Sequence, residues 1–212
     1  MRKPLLSELY ILRHGETIWN VEGRMQGRFD SDLTPLGRMQ GLAMGASLAT
    51  AGVGPGTHRW ISSPQRRAVT TAQLAMRDQG SPELDPRLAE IGMGVWAGLT
   101  RAEIEATWPG PPGEDMIAFY ARIPGGESFA DLEDRVAAVL NNLTGPTVIV
   151  THGMTSRFLR MVALGLGRGD LLSLPGGQGV VHHLRGGQAR TIGTDSGTHS
   201  LHRAVSKGIG AA

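Results

Sequence analysis

An apolar lead, Tyr10-Ile11-Leu12, stops abruptly at Arg13-His14-Gly15. That is how a buried strand reads when it delivers polar chemistry at its carboxyl end. Residues 21–31 are rich in Gly and polar side chains, a loop long enough to be functional. Thr34-Pro35 gives a cap-then-proline start. Leu36, Met39, Leu42, Ala43, Ala46 and Leu48 then recur at helical spacing and predict a helix to about residue 49 that buries this stripe. Gly52-Val53-Gly54-Pro55-Gly56 ends it in a turn. Trp60-Ile61-Ser62 reads as a second buried strand, and Ser63-Pro64 as the cap of a helix that ends by Gly80. Glu83-Leu84 forms a third, short strand.

Residues 87–98 mix glycines with Ile, Met, Val and Trp, a packed loop rather than a linker. Thr100 caps a helix over 101–108, Pro109-Gly110-Pro111-Pro112-Gly113 breaks it, and 115–121 form another short helix. Residues 92–125 are thus an excursion, read as a lid over the site. Ser128 with Asp131 resembles a capping box, with Asp for the usual Glu or Gln. It opens a helix over 129–143 with Leu132, Val136, Val139 and Leu140 on one face. Thr147-Val148-Ile149-Val150-Thr151 is β-branched throughout and does not alternate, so it reads as a central strand covered on both faces. It ends in His152-Gly153, repeating His14-Gly15. A helix follows over 154–164, then a hairpin of 180–184 with 188–192 around Gly186-Gly187. The polar tail, 193–212, is expected to fray.

Helices alternating with strands predict α/β: one domain over 1–212, a three-layer α/β/α sandwich with a mostly parallel central sheet. Such sheets bind ligands outside the carboxyl ends of their strands. Arg13, His14 and His152 fall on that rim, joined by Arg66 or Arg67 from the helix after the second strand. A cation in a helix's first turn opposes the helix dipole unless an anion compensates it, which favours a functional reading for one of the two.

With 40% apolar residues, the 212-residue chain can bury a sizeable core. It has no run of 18 apolar residues, and its start, Met1-Arg2-Lys3-Pro4, precedes too short an apolar patch for a signal peptide. The absence of cysteine removes disulfides, thiolate zinc sites and cysteine nucleophiles, and fits a cytoplasmic protein. Net charge is +2, and all but two of the 21 basic residues, Lys3 and Lys207, are arginine. No basic stripe is interleaved with aromatics, so neither nucleic acid nor membrane is an expected partner. His182-His183 lies in a strand, so its rings point to opposite faces and do not share a metal. His58, His199 and His202 read as surface residues, and Trp19 and Trp96 as packing.

Two histidines and two arginines without metal-ligand spacing suit an anionic substrate and require no cofactor. The arginines neutralise phosphate oxygens, and neutral His14 attacks phosphorus and carries the phosphoryl group. Arg13 and the second arginine disfavour its protonation. A carboxyl group is needed to protonate the leaving oxygen. Glu90 is the best-placed candidate, with apolar surroundings expected to raise its pKa.

Arg13-His14-Gly15-Glu16-Thr17 with Trp19-Asn20 resembles the signature of the histidine phosphatase superfamily, in its phosphoglycerate-mutase-like branch. Gly23-Arg24, Gln26-Gly27, Asp30, Leu33-Thr34 and Gly37 continue the match. Further blocks follow in the family's order: Ser62-Ser63-Pro64 with Arg67-Ala68 and Thr71-Ala72; Glu90, Gly94, Trp96, Gly98-Leu99 and Thr100; Gly126-Glu127-Ser128 with Arg135; and Thr151-His152-Gly153 with Arg157. The resemblance implies that His14 is the phosphorylated nucleophile and Glu90 the proton donor. It also implies that Arg13, Arg67 and His152 form the phosphate pocket. It selects Arg67 over Arg66, which the physical reading leaves open. It places Asn20 on the phosphate, and Gln26, Gly27 and Gly153 on the substrate side. Glu16 and Arg157 read as bracing the site or pairing with other charges. Asp32, Gln65 and Ala97 depart from the family pattern. The short chain and its Trp-containing block resemble the phosphatase members. The expected function is a phosphomonoesterase acting on a small phosphorylated metabolite, and the expected assembly, on base rate alone, is a homodimer. The alternatives are a cofactor-dependent mutase and, behind it, a non-catalytic phospho-ligand binder.

Overall fold

The structure, a computed structural model, describes residues 8–193 and 199–201. Seven strands form one sheet in the order β3-β2-β4-β1-β5-β6-β7. Strands β1 (Leu9–Arg13), β2 (Arg59–Ser62), β3 (Glu83–Leu84) and β4 (Thr147–Thr151) are mutually parallel. Strand β5 (Val180–Arg185) runs antiparallel beside β1, followed by β6 (Gln188–Gly193) and β7 (His199–Leu201). Helices α2 (Pro35–Thr50) and α3 (Arg66–Ala75) pack together over one face, and α6 (Phe129–Asn141) and α7 (Gly153–Leu164) over the other. This is the expected three-layer arrangement. Each face has its own apolar cluster, one around Leu12, Met44, Val148 and Val150, the other around Ile11, Ile149, Leu132 and Phe158. Every residue of β4 is buried, as a doubly covered strand requires.

Several ends lie where cap chemistry puts them. Thr34, Thr100, Asp115 and Ser128 each accept a backbone N–H at a helix start, opening α2, α4 (Arg101–Thr107), α5 (Met116–Ala121) and α6. The Asp131 side chain meets the Ser128 hydroxyl at 2.7 Å. The expected loop after β1 also holds one helical turn, α1 (Ile18–Val21), closed by a reciprocal Thr17–Asn20 capping box.

Four expectations are corrected. Leu36, Met39 and Leu42 of α2 are about half exposed or more, while Gly37, Gly41, Met44, Gly45 and Leu48 face inward. A Cβ on Gly37 would lie 2.0 Å from Glu16 O, and one on Gly45 2.3 Å from Ala75 O, so the helix approaches its neighbours along a glycine stripe. Helix α3 starts at Arg66 after Gln65, so Ser63 is not its cap. His58 is not a free surface residue: it is half-buried and meets the Tyr10 ring edge-on. Within the expected tail, His199–Leu201 pair with β6; His202 and the rest of the tail, like Met1-Arg2-Lys3-Pro4, lie outside the described residues.

Candidate active site

Strands β1 and β4 are parallel neighbours with Arg13 opposite Thr151, so the next residues, His14 and His152, emerge at the same height. The His14 N–H donates to Thr151 O at 2.9 Å, and the two imidazole centroids stand 5.1 Å apart. Gly15 lets the turn beneath them close: a Cβ there would lie 2.2 Å from Gly37 O. The His14 Nδ1–H donates to Gly15 O at 2.8 Å, which leaves the Nε2 lone pair available. Burial holds the His14 pKa well below its ordinary value, and Arg13 and Arg67 lower it further. Desolvation is thus the larger cause, ahead of the arginines named from sequence. His152 is completely buried and is shifted the same way, by burial first and then by Arg67 and His14.

The structure separates the two arginines of the first α3 turn. Arg66 is exposed and pairs with Asp32, whereas Arg67 is 1% exposed and lines the cavity. Arg67 Nη1 meets Asp30 Oδ1 at 3.0 Å, and Nη2 donates to Gly27 O at 3.0 Å. Asp30 also accepts the backbone N–H of Arg66 at 2.6 Å and of Arg67 at 3.2 Å. One carboxylate from the 21–31 loop therefore caps α3 and supplies the anion that a cationic first turn needs.

Glu90 stands beside the start of α7. Its Oε1 accepts from Ile91 N at 3.0 Å, Thr155 N at 3.1 Å and Thr155 Oγ1 at 3.1 Å; Oε2 accepts from Met154 N at 3.3 Å. The expected apolar surroundings are replaced by a ring of donors. Gly153 sits between Glu90 and Arg13: a Cβ there would be 3.5 Å from Glu90 Oε2 and 3.6 Å from Arg13 Cζ.

Arg13, His14, Asn20, Gln26, Gly27, Arg67 and Glu90 all line one cavity of about 230 Å³; Gly153 and His152 are not on its lining, though each adjoins residues that are. Asn20 Oδ1 is occupied by Thr17 at 3.0 Å and Gln178 at 2.7 Å, leaving its Nδ2 as a donor. Gln26 Nε2 donates to Thr17 Oγ1 at 2.8 Å, and its Oε1 is buried without a partner among the described residues. The Gly27 carbonyl is held by Arg67 and by Gln65 Nε2 at 2.9 Å. Glu16 accepts from Thr34 Oγ1, and Arg157 donates to the carbonyls of Leu171 and Leu174, so both brace surrounding segments.

The model of the histidine phosphatase superfamily, branch 1, matches residues 9–192. The chain belongs to this superfamily. A glucosyl-3-phosphoglycerate phosphatase from Mycolicibacterium vanbaalenii is 35% identical, the match covering 74% of each chain. A probable phosphoglycerate mutase, GpmB, of Salmonella paratyphi B is 36% identical over 75% of each. A mycobacterial glucosyl-3-phosphoglycerate phosphatase, solved in complexes with VO3, superposes with a TM-score of 0.70 at 33% identity, over 84% of this chain and 92% of that one.

Around this histidine phosphatase site stand residues that the sequence reading did not assign to it. Ser63 Oγ lies 2.8 Å from His152 Nε2. Gln65, visible in the sequence as a departure from the family pattern, accepts the Glu90 N–H at 2.8 Å while holding Gly27. It thereby ties the 21–31 loop to the backbone of Glu90. Trp19, expected as packing, is on the cavity wall, whereas Trp96 is in the core as expected. Tyr120 of α5 also lines the cavity, and no local pattern marked it.

Proposed function

We propose that this histidine phosphatase hydrolyses a small phosphorylated metabolite through a phosphohistidine on His14. One observation carries the reading. Arg13 Nε, Arg67 Nε and His152 Nδ1 are buried and lack a partner among the described residues, and they flank an uncharged imidazole with Nε2 available. Buried polar atoms are normally satisfied. The oxygens of a phosphoryl group supply the missing acceptors.

In this reading Arg13, Arg67 and the Asn20 amide hold the phosphoryl oxygens, with His152 beside them; Gln26, Gly27 and Gly153 shape the substrate side. His14 Nε2 attacks phosphorus as the P–O ester bond breaks. Glu90 in its acid form gives its proton to the departing oxygen. Water then loses a proton to the Glu90 carboxylate and attacks phosphorus, the N–P bond breaks, and inorganic phosphate leaves with His14 neutral again. His14→Ala is expected to lower turnover by about 10³-fold or more. Rapid-quench mass spectrometry of the wild-type enzyme is expected to find one phosphoryl group on His14. Full turnover by His14→Ala would remove the proposal.

The Salmonella relatives favour a second reading, in which the phosphoryl group passes to a phosphoglycerate instead of water. A bisphosphoglycerate-primed mutase assay run beside phosphate release separates the two. We further take the chain to be one domain with 92–125 as its lid, working in the cytoplasm as a homodimer; light scattering tests the assembly. Among the described residues no helix is long and apolar enough to cross a membrane.

A further inference from the structure

Beside its cationic base and the polar Asn20, Gln26 and Glu90, the cavity wall carries the side chains of Trp19, Met25, Met93 and Tyr120. Tyr120 is set there by its helix. The Asp115 side chain caps α5 through the Ala118 N–H at 2.8 Å, and Phe119, 1% exposed, anchors α5 against Trp96 with ring centroids 4.9 Å apart. Tyr120, one residue on, faces the same cavity as Arg13, His14 and Glu90.

Outside the cationic base, the arginines on and beside this wall already face carboxylates. Arg24, also on this wall, meets Glu22 at 3.0 Å, Glu103 at 3.3 Å and Gly98 O at 2.9 Å. Arg28, in the neighbouring cavity, reaches Glu127 at 3.5 Å, a carboxylate that Arg135 also holds at 3.0 Å. A carboxylate on the alcohol portion of a substrate would therefore meet an Arg24 already shared between two glutamates, which weakens the attraction it can offer. An uncharged ring would instead bury its face on Trp19 and Tyr120.

We propose that Tyr120 touches the substrate and, with Trp19, selects phosphomonoesters whose alcohol portion is an uncharged ring over those that carry a carboxylate. The proposal rests on the phosphatase reading of the same site. The Tyr120 hydroxyl, pushed up to about 12 by burial and then by the Glu90 charge, keeps its proton at working pH and presents a donor as well as a ring face.

The test compares kcat/KM for benzyl phosphate, glucose 6-phosphate, glycerol 3-phosphate and 3-phosphoglycerate, all of which leave from a primary carbon. The wild-type enzyme is expected to favour the two ring esters over 3-phosphoglycerate by about tenfold or more. Tyr120→Phe keeps that ratio for benzyl phosphate. Tyr120→Ala collapses it, chiefly by raising KM for the ring esters; Tyr120→Leu replaces it if the alanine variant does not fold. A wild-type preference for 3-phosphoglycerate, or a ratio unchanged in both Tyr120→Ala and Tyr120→Leu, overturns the inference. Hydrolysis of all four esters at equal rates defeats this inference alone. Release of phosphate from none of them defeats the phosphatase reading beneath it.

Discussion

Burial, more than the neighbouring arginines, sets the charge of His14 and His152. Imidazole NMR should accordingly find both rings neutral at pH 6.5, where a free imidazole is half protonated, with His14 carrying its proton on Nδ1. Titration of either near pH 6.5 would contradict the site described above. Their placement was legible because each follows an unbroken apolar run, and adjacent parallel strands bring such positions level. The choice between Arg66 and Arg67 was not legible from helix position alone. It depends on Asp30 and Asp32, two loop carboxylates that take the two side chains in different directions. The setting of Glu90 was misread for a similar reason. Ile91 and Met93 are its apolar neighbours in sequence, but its neighbours in space are the amides that open α7.

At the scale of the element, α2 shows what a hydropathy count leaves out. Its leucine and methionine stripe looked like a core face, yet the inward face is Gly37, Gly41 and Gly45 with Met44 and Leu48. Glycine scores as nearly neutral, but at four-residue spacing it brings backbone against backbone. Gly45→Ala should therefore destabilise by about 2 kcal/mol or more, although alanine is the better helix former by about 1 kcal/mol. Leu36→Ser, on the exposed stripe, should change stability by about 0.5 kcal/mol or less. Urea denaturation of the pair checks the assignment of faces; a larger loss from Leu36→Ser than from Gly45→Ala would reverse it. The caps at Thr34, Thr100 and Ser128 were readable because they need four consecutive residues and nothing beyond. The start of α3 was not, since its capping carboxylate comes from 36 positions earlier in the chain.

For the whole molecule, alternating helices and strands announced the layers, but not that β1 would lie between β4 and β5, a pairing of distant segments. Folding also keeps several histidines uncharged. His14 and His152 are held well below 6.5, and His182 is lowered to about 3 by burial and then by Arg160. These groups take up protons on unfolding once the pH drops below 6.5, so their contribution is complete above that value and lost progressively beneath it. For His182 the loss approaches about 1.4 kcal/mol per pH unit below 6.5, and His14 and His152 add to it in the same direction. Chemical denaturation at pH 7, 6 and 5 should show stability falling with acidification, and a flat profile would contradict these shifts. Asp30 bears on turnover as well as on folding. A receptor with all its positive charge uncommitted would cling to inorganic phosphate after the ester has been split. Because Arg67 is shared with an internal anion in the proposed site, Asp30→Asn is expected to tighten inhibition by inorganic phosphate, which product-inhibition kinetics would check.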